Sequence, residues 1–204
     1  MDPRLSSPAA RRNRDPILAV LRRVLPAEGA VLEVASGSGE HVVWLAAHLP
    51  GLVFQPSDPE PASRASIAAW IVHEALPNVR APLALDATDD DWALPAEIAA
   101  RLVAVLCINM GHVAPWQATL GLLRGAGRLL RSGGVLYLYG PYKREGRHTA
   151  PSNAAFDASL RTRDPESGVR DLEDVVAAAG RAGLTLASVE EMPANNLSTI
   201  FRKT

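Results

Sequence analysis

One cysteine among 204 residues, Cys107, leaves no partner for an internal disulfide. That suits a reducing compartment such as the cytoplasm, where the protein is expected. The chain also lacks a surplus of charge: 21 Lys and Arg stand against 22 Asp and Glu, a net −1. No global field draws in nucleic acid or an anionic membrane, and no wide basic stripe offers a nucleic-acid footprint. Neither partner is expected. The longest apolar runs are strand-sized, short of the roughly 18 residues or more of a membrane span. The polar first 16 residues lack the apolar region of a signal peptide. The five histidines have no H-x-x-x-H spacing and no second cysteine joins Cys107, so no metal is expected. No Walker lysine follows the glycines.

What is present is 48% hydrophobic residues in a chain long enough to bury a core. No linker or repeat divides it, so one domain is expected over residues 14–204, preceded by a polar arm at 1–13. Asp15 reads as a helix N-cap with Pro16 at the first helical position. Strands and helices then alternate. Strands are expected at Val31–Ala35, Leu52–Gln55, Pro82–Leu85, Leu102–Ile108 and Val135–Tyr139. Helices are expected at Glu40–Leu49, Ser63–Leu76 and Pro115–Leu130. This alternation implies a parallel sheet with right-handed crossovers. After a helix at Leu172–Ala182, the runs Leu184–Val189 and Leu197–Arg202 are joined too closely for a crossover helix. They should pair antiparallel.

In such a sheet, ligands bind beyond the carboxyl ends of the strands. The first strand runs into Glu33-Val-Ala-Ser-Gly-Ser-Gly39. A plain strand-to-helix turn is one reading of this segment. A dinucleotide loop is a second, but it needs a third small residue where Val42 stands. The third is an S-adenosylmethionine site, in which an acidic residue at the strand end holds the ligand's ammonium. Glu33 has that type and place, whereas a diphosphate would be repelled by it. Asp58, after the second strand, can accept ribose hydroxyls. Asp86 can accept the adenine amino group, with Ala87 donating its N–H to the ring. Either aspartate can equally be a turn former.

The chain resembles the class I S-adenosylmethionine-dependent methyltransferases. More narrowly, it is similar to a methyltransferase-like family of unknown function shared by bacteria and animals. The resemblance runs from about Arg12 to Arg202. It is carried by Leu32-Glu-Val-Ala-Ser-Gly-Ser-Gly-Glu-His41, Gln55-Pro-Ser-Asp58 and Cys107-Ile-Asn-Met-Gly-His112. Tyr139-Gly-Pro-Tyr142, Ser152-Asn-Ala-Ala-Phe-Asp157 and Met192-Pro-Ala-Asn-Asn-Leu197 add to it. It implies a Rossmann-like doubly wound α/β fold with a seven-stranded sheet, order 3-2-1-4-5-7-6, strand 7 antiparallel. The turn's usual first glycine is Ala35 here, tolerable unless that position needs positive φ.

The expected cofactor-binding set is Asn13, Glu33, Ala35, Ser36, Gly37, Gly39, Asp58, Asp86, Ala87, Asn109 and Met110, with Asn13 on the arm as a lid. The expected product is S-adenosylhomocysteine. The acceptor, a small molecule or protein, is not named by the sequence, and neither is the oligomeric state. His112 is the candidate base, with Asn109 beside the acceptor. Trp116, Tyr139, Tyr142, Asn153, Asn195 and Asn196 are candidate pocket residues, though core packing or turn formation explains several equally well. A non-catalytic cofactor-binding module is the alternative. An NAD(P)-dependent oxidoreductase is a remote one, opposed by Glu33 and Val42.

Overall fold

The structure, a computed structural model, describes residues 2–204. The first helix, α1 (Pro8–Val24), starts earlier than its sequence signal at Asp15 suggests. Ser7 is the N-cap, its hydroxyl accepting from the Ala10 N–H at 3.2 Å, and Pro8 takes the first helical position. Ser7-Pro8 and Asp15-Pro16 carry the same signal, and the upstream pair takes effect. Pro16 therefore sits inside the helix, where it has no N–H to give the Arg12 carbonyl. The segment expected to be an arm is thus partly helical. Ala10, Asn13, Ile17, Leu18, Val20 and Leu21 form its buried face.

The elements then run β1 (Gly29–Val34), α2 (Glu40–His48), β2 (Leu52–Ser57), α3 (Pro61–Glu74), α4 (Ala96–Arg101) and β3 (Leu102–Ile108). After α5 (Met110–Val113) and α6 (Trp116–Leu129) come β4 (Val135–Gly140), β5 (Tyr142–Arg144) and β6 (Arg147–His148). The chain ends with α7 (Pro151–Arg163), β7 (Arg170–Asp171), α8 (Leu172–Arg181), β8 (Leu184–Met192) and β9 (Asn196–Lys203). The main sheet has six strands in the order β2-β1-β3-β4-β9-β8, and a small sheet has the order β6-β5-β7.

This corrects the expected seven-strand sheet. The segment Pro82–Leu85 forms no strand; only two isolated parallel bridges, Phe54↔Val79 and Ser57↔Leu83, flank β2. The reason lies in two prolines. A continuous ladder would need N–H donors at Pro56 and Pro82, and neither has one. The register slips by one residue between the bridges. The Gln55 side-chain amide fills the gap, donating to the Ala81 carbonyl at 2.8 Å and the Pro56 carbonyl at 3.0 Å. The terminal pair is antiparallel as expected, β9 pairing with both β8 and β4.

The chain forms two compact units. The first comprises the described residues up to Asp86 together with Trp92–Leu106; the second is Ala87–Asp91 with Cys107–Thr204. In the first, β1 is buried along its whole length and runs parallel to β2, Glu33 opposite Pro56 and Val34 opposite Ser57. In the second, α6 crosses close over the loop at Ala87: a Cβ on Gly121 would lie 2.0 Å from the Ala87 carbonyl oxygen. Only glycine permits that approach.

Candidate functional site

In the first unit, the turn after β1 is held by its own backbone. Ala35, Gly37 and Gly39 all have positive φ, at 57°, 57° and 89°. Gly39 also lacks room for a side chain, since a Cβ would lie 2.9 Å from Ile67 Cα. Ala35 does occupy a left-handed conformation, which costs an alanine about 1 kcal/mol relative to glycine. The Ser36 N–H donates to the Ser57 carbonyl at 2.9 Å, and the Ser57 hydroxyl donates to the Glu33 carbonyl at 2.8 Å. Tips of β1 and β2 are thereby locked together beneath the turn.

Asp58 belongs to this lock. One carboxylate oxygen accepts from the Gly37 N–H at 2.9 Å and the other from the Glu60 N–H at 3.0 Å. Each oxygen keeps a further lone pair for a ligand. Sequence reasoning assigned Asp58 to a ribose and missed that it also shapes the glycine turn.

Glu33 behaves differently. It is 2% exposed, and its Oε2 is buried with no hydrogen-bond partner. Burial pushes its carboxyl up to about 7; contact with Ser36 pulls it down and the nearby Asp58 charge adds to the rise. A buried acceptor without a donor is costly unless a ligand supplies one. An ammonium would do so, and would restore the ionised form.

Asn13 is not on a mobile arm. It lies buried in α1, where its Oδ1 meets His41 Nε2 at 2.7 Å. Burial, helped by the charge of Arg14, pushes His41 down to about 4, so its ring is neutral and Nε2–H donates to Asn13. Glu40 was absent from the expected set and is central here. Its buried carboxylate accepts from the Ser38 hydroxyl at 3.2 Å and from the Ser7 N–H, and lies 3.4 Å from Arg11. The only hint in the sequence is an acidic residue in a helix's first turn. Asp86, which closes this unit's first segment, is half-buried.

In the second unit, Ala87 is buried under α6. Asn109 has φ 70° and caps α5, its N–H donating to the Tyr139 carbonyl at 2.8 Å, and Met110 is buried after it. His112 is 6% exposed, its ring edge-on to Phe156 at 5.4 Å. Burial, with the charge of Arg170, pushes it down to about 4. His112, Tyr139 and Tyr142 do share a cavity, together with Cys107, Thr119 and Arg170. That cavity measures only about 20 Å³, room for roughly one water. Thr119 Oγ1 is buried beside it without a partner, a polar lining position that sequence pattern did not single out.

Trp116 is not in that cavity. It lines a separate cleft of about 390 Å³ with Lys143, Arg161, Arg170, Asp171 and Asp174, ligand-sized by comparison with sites of roughly 300–1,000 Å³. Arg170 stands between the two spaces, donating to the carbonyls of Gly111 at 2.8 Å, Ala114 at 2.6 Å and Glu166 at 2.8 Å. Lys143 pairs with the buried Asp157 at 3.2 Å, which Arg161 and His148 also approach.

The three asparagines lie outside the His112 cavity. Asn153 is in α7, and its amide donates to the Thr149 hydroxyl at 3.1 Å and the Asn195 carbonyl at 2.9 Å. Asn195, with φ 57°, donates to Ser152, and Asn196 donates to the Pro193 carbonyl. The Asn153 and Asn195 amides pin the β8–β9 connection to α7, while Asn196 braces that connection from within. Among the described residues no group of three or more His, Cys, Asp or Glu could hold a metal ion, and no helix is long and apolar enough to cross a membrane.

This six-stranded mixed sheet matches a methyltransferase-like Rossmann fold. The chain belongs to the family described as "Protein of unknown function (DUF938)", which matches residues 4–203. Among solved structures it is similar to the S-adenosylmethionine-dependent methyltransferase SibL in its apo form. There the TM-score is 0.76 and identity 23%, covering 96% of this chain and 55% of that one. The mitomycin 7-O-methyltransferase MmcR gives 0.79 and 13%, covering 96% and 54%. Human N-acetylserotonin methyltransferase in complex with S-adenosylmethionine gives 0.77 and 14%, covering 96% and 52%. The chain thus spans about half the length of these structures.

Proposed function

We propose that the protein binds S-adenosylmethionine and transfers its methyl group to an acceptor. The carrying observation is the buried, partnerless Oε2 of Glu33 at the end of β1, beside a turn with three positive-φ residues. Glu33 would hold the ligand's ammonium, Asp58 the ribose hydroxyls, and Asp86 the adenine amino group. Ser36, Gly37 and Gly39 would let the backbone approach. When bound, the cofactor supplies an electrophilic methyl group. Calorimetry with S-adenosylmethionine and S-adenosylhomocysteine tests this: micromolar binding is expected, and no heat with either sinks it.

In the second unit, Asn109 and His112 are the residues we propose for the acceptor. Burial keeps His112 neutral at physiological pH, so it can take a proton, but its depressed basicity makes it a weak base. A second reading, a binding module without turnover, draws on one observation: the cavity at His112 admits about one water. Labelled methyl transfer across a broad acceptor panel separates the two. Turnover that collapses in His112→Ala or Asn109→Ala supports the enzyme; tight binding with no product supports the module.

A further inference from the structure

The glycine turn is gripped from two sides. Asp58 holds it from β2, through the Gly37 N–H at 2.9 Å. The second grip comes from the start of the chain, by two routes that meet on Ser38. Along the first, the Leu5 N–H donates to Ser66 Oγ at 2.8 Å, and that hydroxyl donates to the Ser38 carbonyl at 2.7 Å. Along the second, the Ser7 N–H donates to Glu40 Oε2, which also accepts from the Ser38 hydroxyl at 3.2 Å. Trp70 Nε1–H donates to the Leu5 carbonyl at 3.0 Å, and Arg4 lies 4.9 Å from the Trp70 ring centre. Ser66 is 0% and Glu40 6% exposed, so both relays are shielded from competing water.

Ser38 is the residue between Gly37 and Gly39. With a positive-φ glycine on each side, the only local hold on its side chain is a long 3.4 Å bond from the Glu40 N–H, beside its own bond to the Glu40 carboxylate, and an unheld Gly-Ser-Gly segment samples many conformations. A ligand that binds a loose turn must order it at the expense of affinity. Glu40 has one simpler role, as an acid at the start of α2 favoured by the helix dipole. That role explains its charge but not its buried bonds to Ser7 and Ser38.

We propose that Glu40 and the strap Arg4–Ser7 are positioning elements for the cofactor turn, holding Ser38 in place so that ligand affinity depends on the strap. The inference rests on the cofactor reading above. Its test uses the full chain with Ser66→Ala, Glu40→Gln, Glu40→Ala and the pair Ser66→Ala/Glu40→Ala. Calorimetry with S-adenosylhomocysteine is combined with amide hydrogen exchange. Ser66→Ala and Glu40→Ala should each weaken binding ~10-fold, with Glu40→Gln between Glu40→Ala and the unaltered protein. The double variant should lose less than the product of the two, because both relays end on one residue. Amides of Ser38–Glu40 should exchange faster in each variant, with or without ligand. Ligand should slow the Leu5 and Ser7 amides in the unaltered protein but not in Glu40→Ala. Unchanged affinity and unchanged turn exchange in Ser66→Ala overturn the proposal, leaving Glu40 as a helix-end charge only. If the unaltered protein binds no S-adenosylhomocysteine, the cofactor reading falls, while the ligand-free exchange still decides whether the strap holds the turn.

Discussion

Glu33 sits where its own charge is disfavoured. Burial lifts it from 4.5 to about 7 in the folded protein, so the native state holds this proton more tightly than the unfolded chain. The contribution to stability is fully present below about pH 4.5 and is lost as pH rises through about 7, amounting to roughly 3 kcal/mol. Ligand-free protein should therefore lose stability across that window in denaturant titrations, and Glu33→Gln should remove the slope. An ammonium ligand needs the ionised form, so S-adenosylmethionine affinity should rise with pH up to about 7, with proton release seen calorimetrically on that limb, and fall again above roughly pH 8 as the ligand's α-amino group deprotonates. Glu33→Gln should cost affinity about 10- to 100-fold, as expected for a charge-assisted hydrogen bond; full affinity would remove Glu33 from the site. Ala35 gives a second test. Its φ of 57° favours glycine, so Ala35→Gly should stabilise by up to ~1 kcal/mol, net of the larger unfolded-state entropy of glycine. A clear drop in Tm would show that the methyl group packs usefully. The positions of Glu33, Gly37 and Asp58 at or just beyond the strand ends were legible in the sequence, because the apolar runs of β1 and β2 mark them. The role of Glu40 was not, because one of its two partners, Ser7, lies 33 residues away in the chain.

Elements were legible where an apolar repeat announces them. β3 is a wholly apolar run, and α6 and α8 bury regular apolar faces. α7 was missed for a definite reason. Its buried residues, Asn153, Asp157 and Leu160, have helical spacing, but two of the three are polar. The pattern exists in position and not in hydrophobicity, because this face packs through hydrogen bonds and ion pairs. The start of α1 was misplaced because two Xaa-Pro caps compete, and local chemistry does not rank them. Ser7→Ala should lower stability by about 1 kcal/mol, the usual worth of an N-cap, while Asp15→Ala should change it by less than about half of that. Thermal unfolding of both variants checks this, and the reverse order would return the helix start to Asp15.

At the scale of the molecule, a ligand that binds only the folded chain raises its stability by mass action. S-adenosylmethionine at 100 times its Kd should add about 2.7 kcal/mol, or roughly 5–10 °C in Tm for a chain of this size. Glu33→Gln should need a proportionately higher concentration for the same shift. A shift that survives unchanged in Glu33→Gln would mean that the ligand binds elsewhere. The alternation of apolar strands and amphipathic helices, read from sequence alone, determined the α/β architecture, because burying those faces admits few arrangements; the sheet itself is mixed. The placing of Glu33 and Asp58 at the ends of β1 and β2 was equally plain, since each follows from the apolar run before it. Tertiary structure decided what hydrogen-bonding partners decide. It turned the third strand into two bridges where prolines withhold their donors, left Glu33 Oε2 without a partner, and closed the space at His112 to the size of a water. Each depends on which groups meet across the fold, and no local repeat or motif in the chain encodes that meeting.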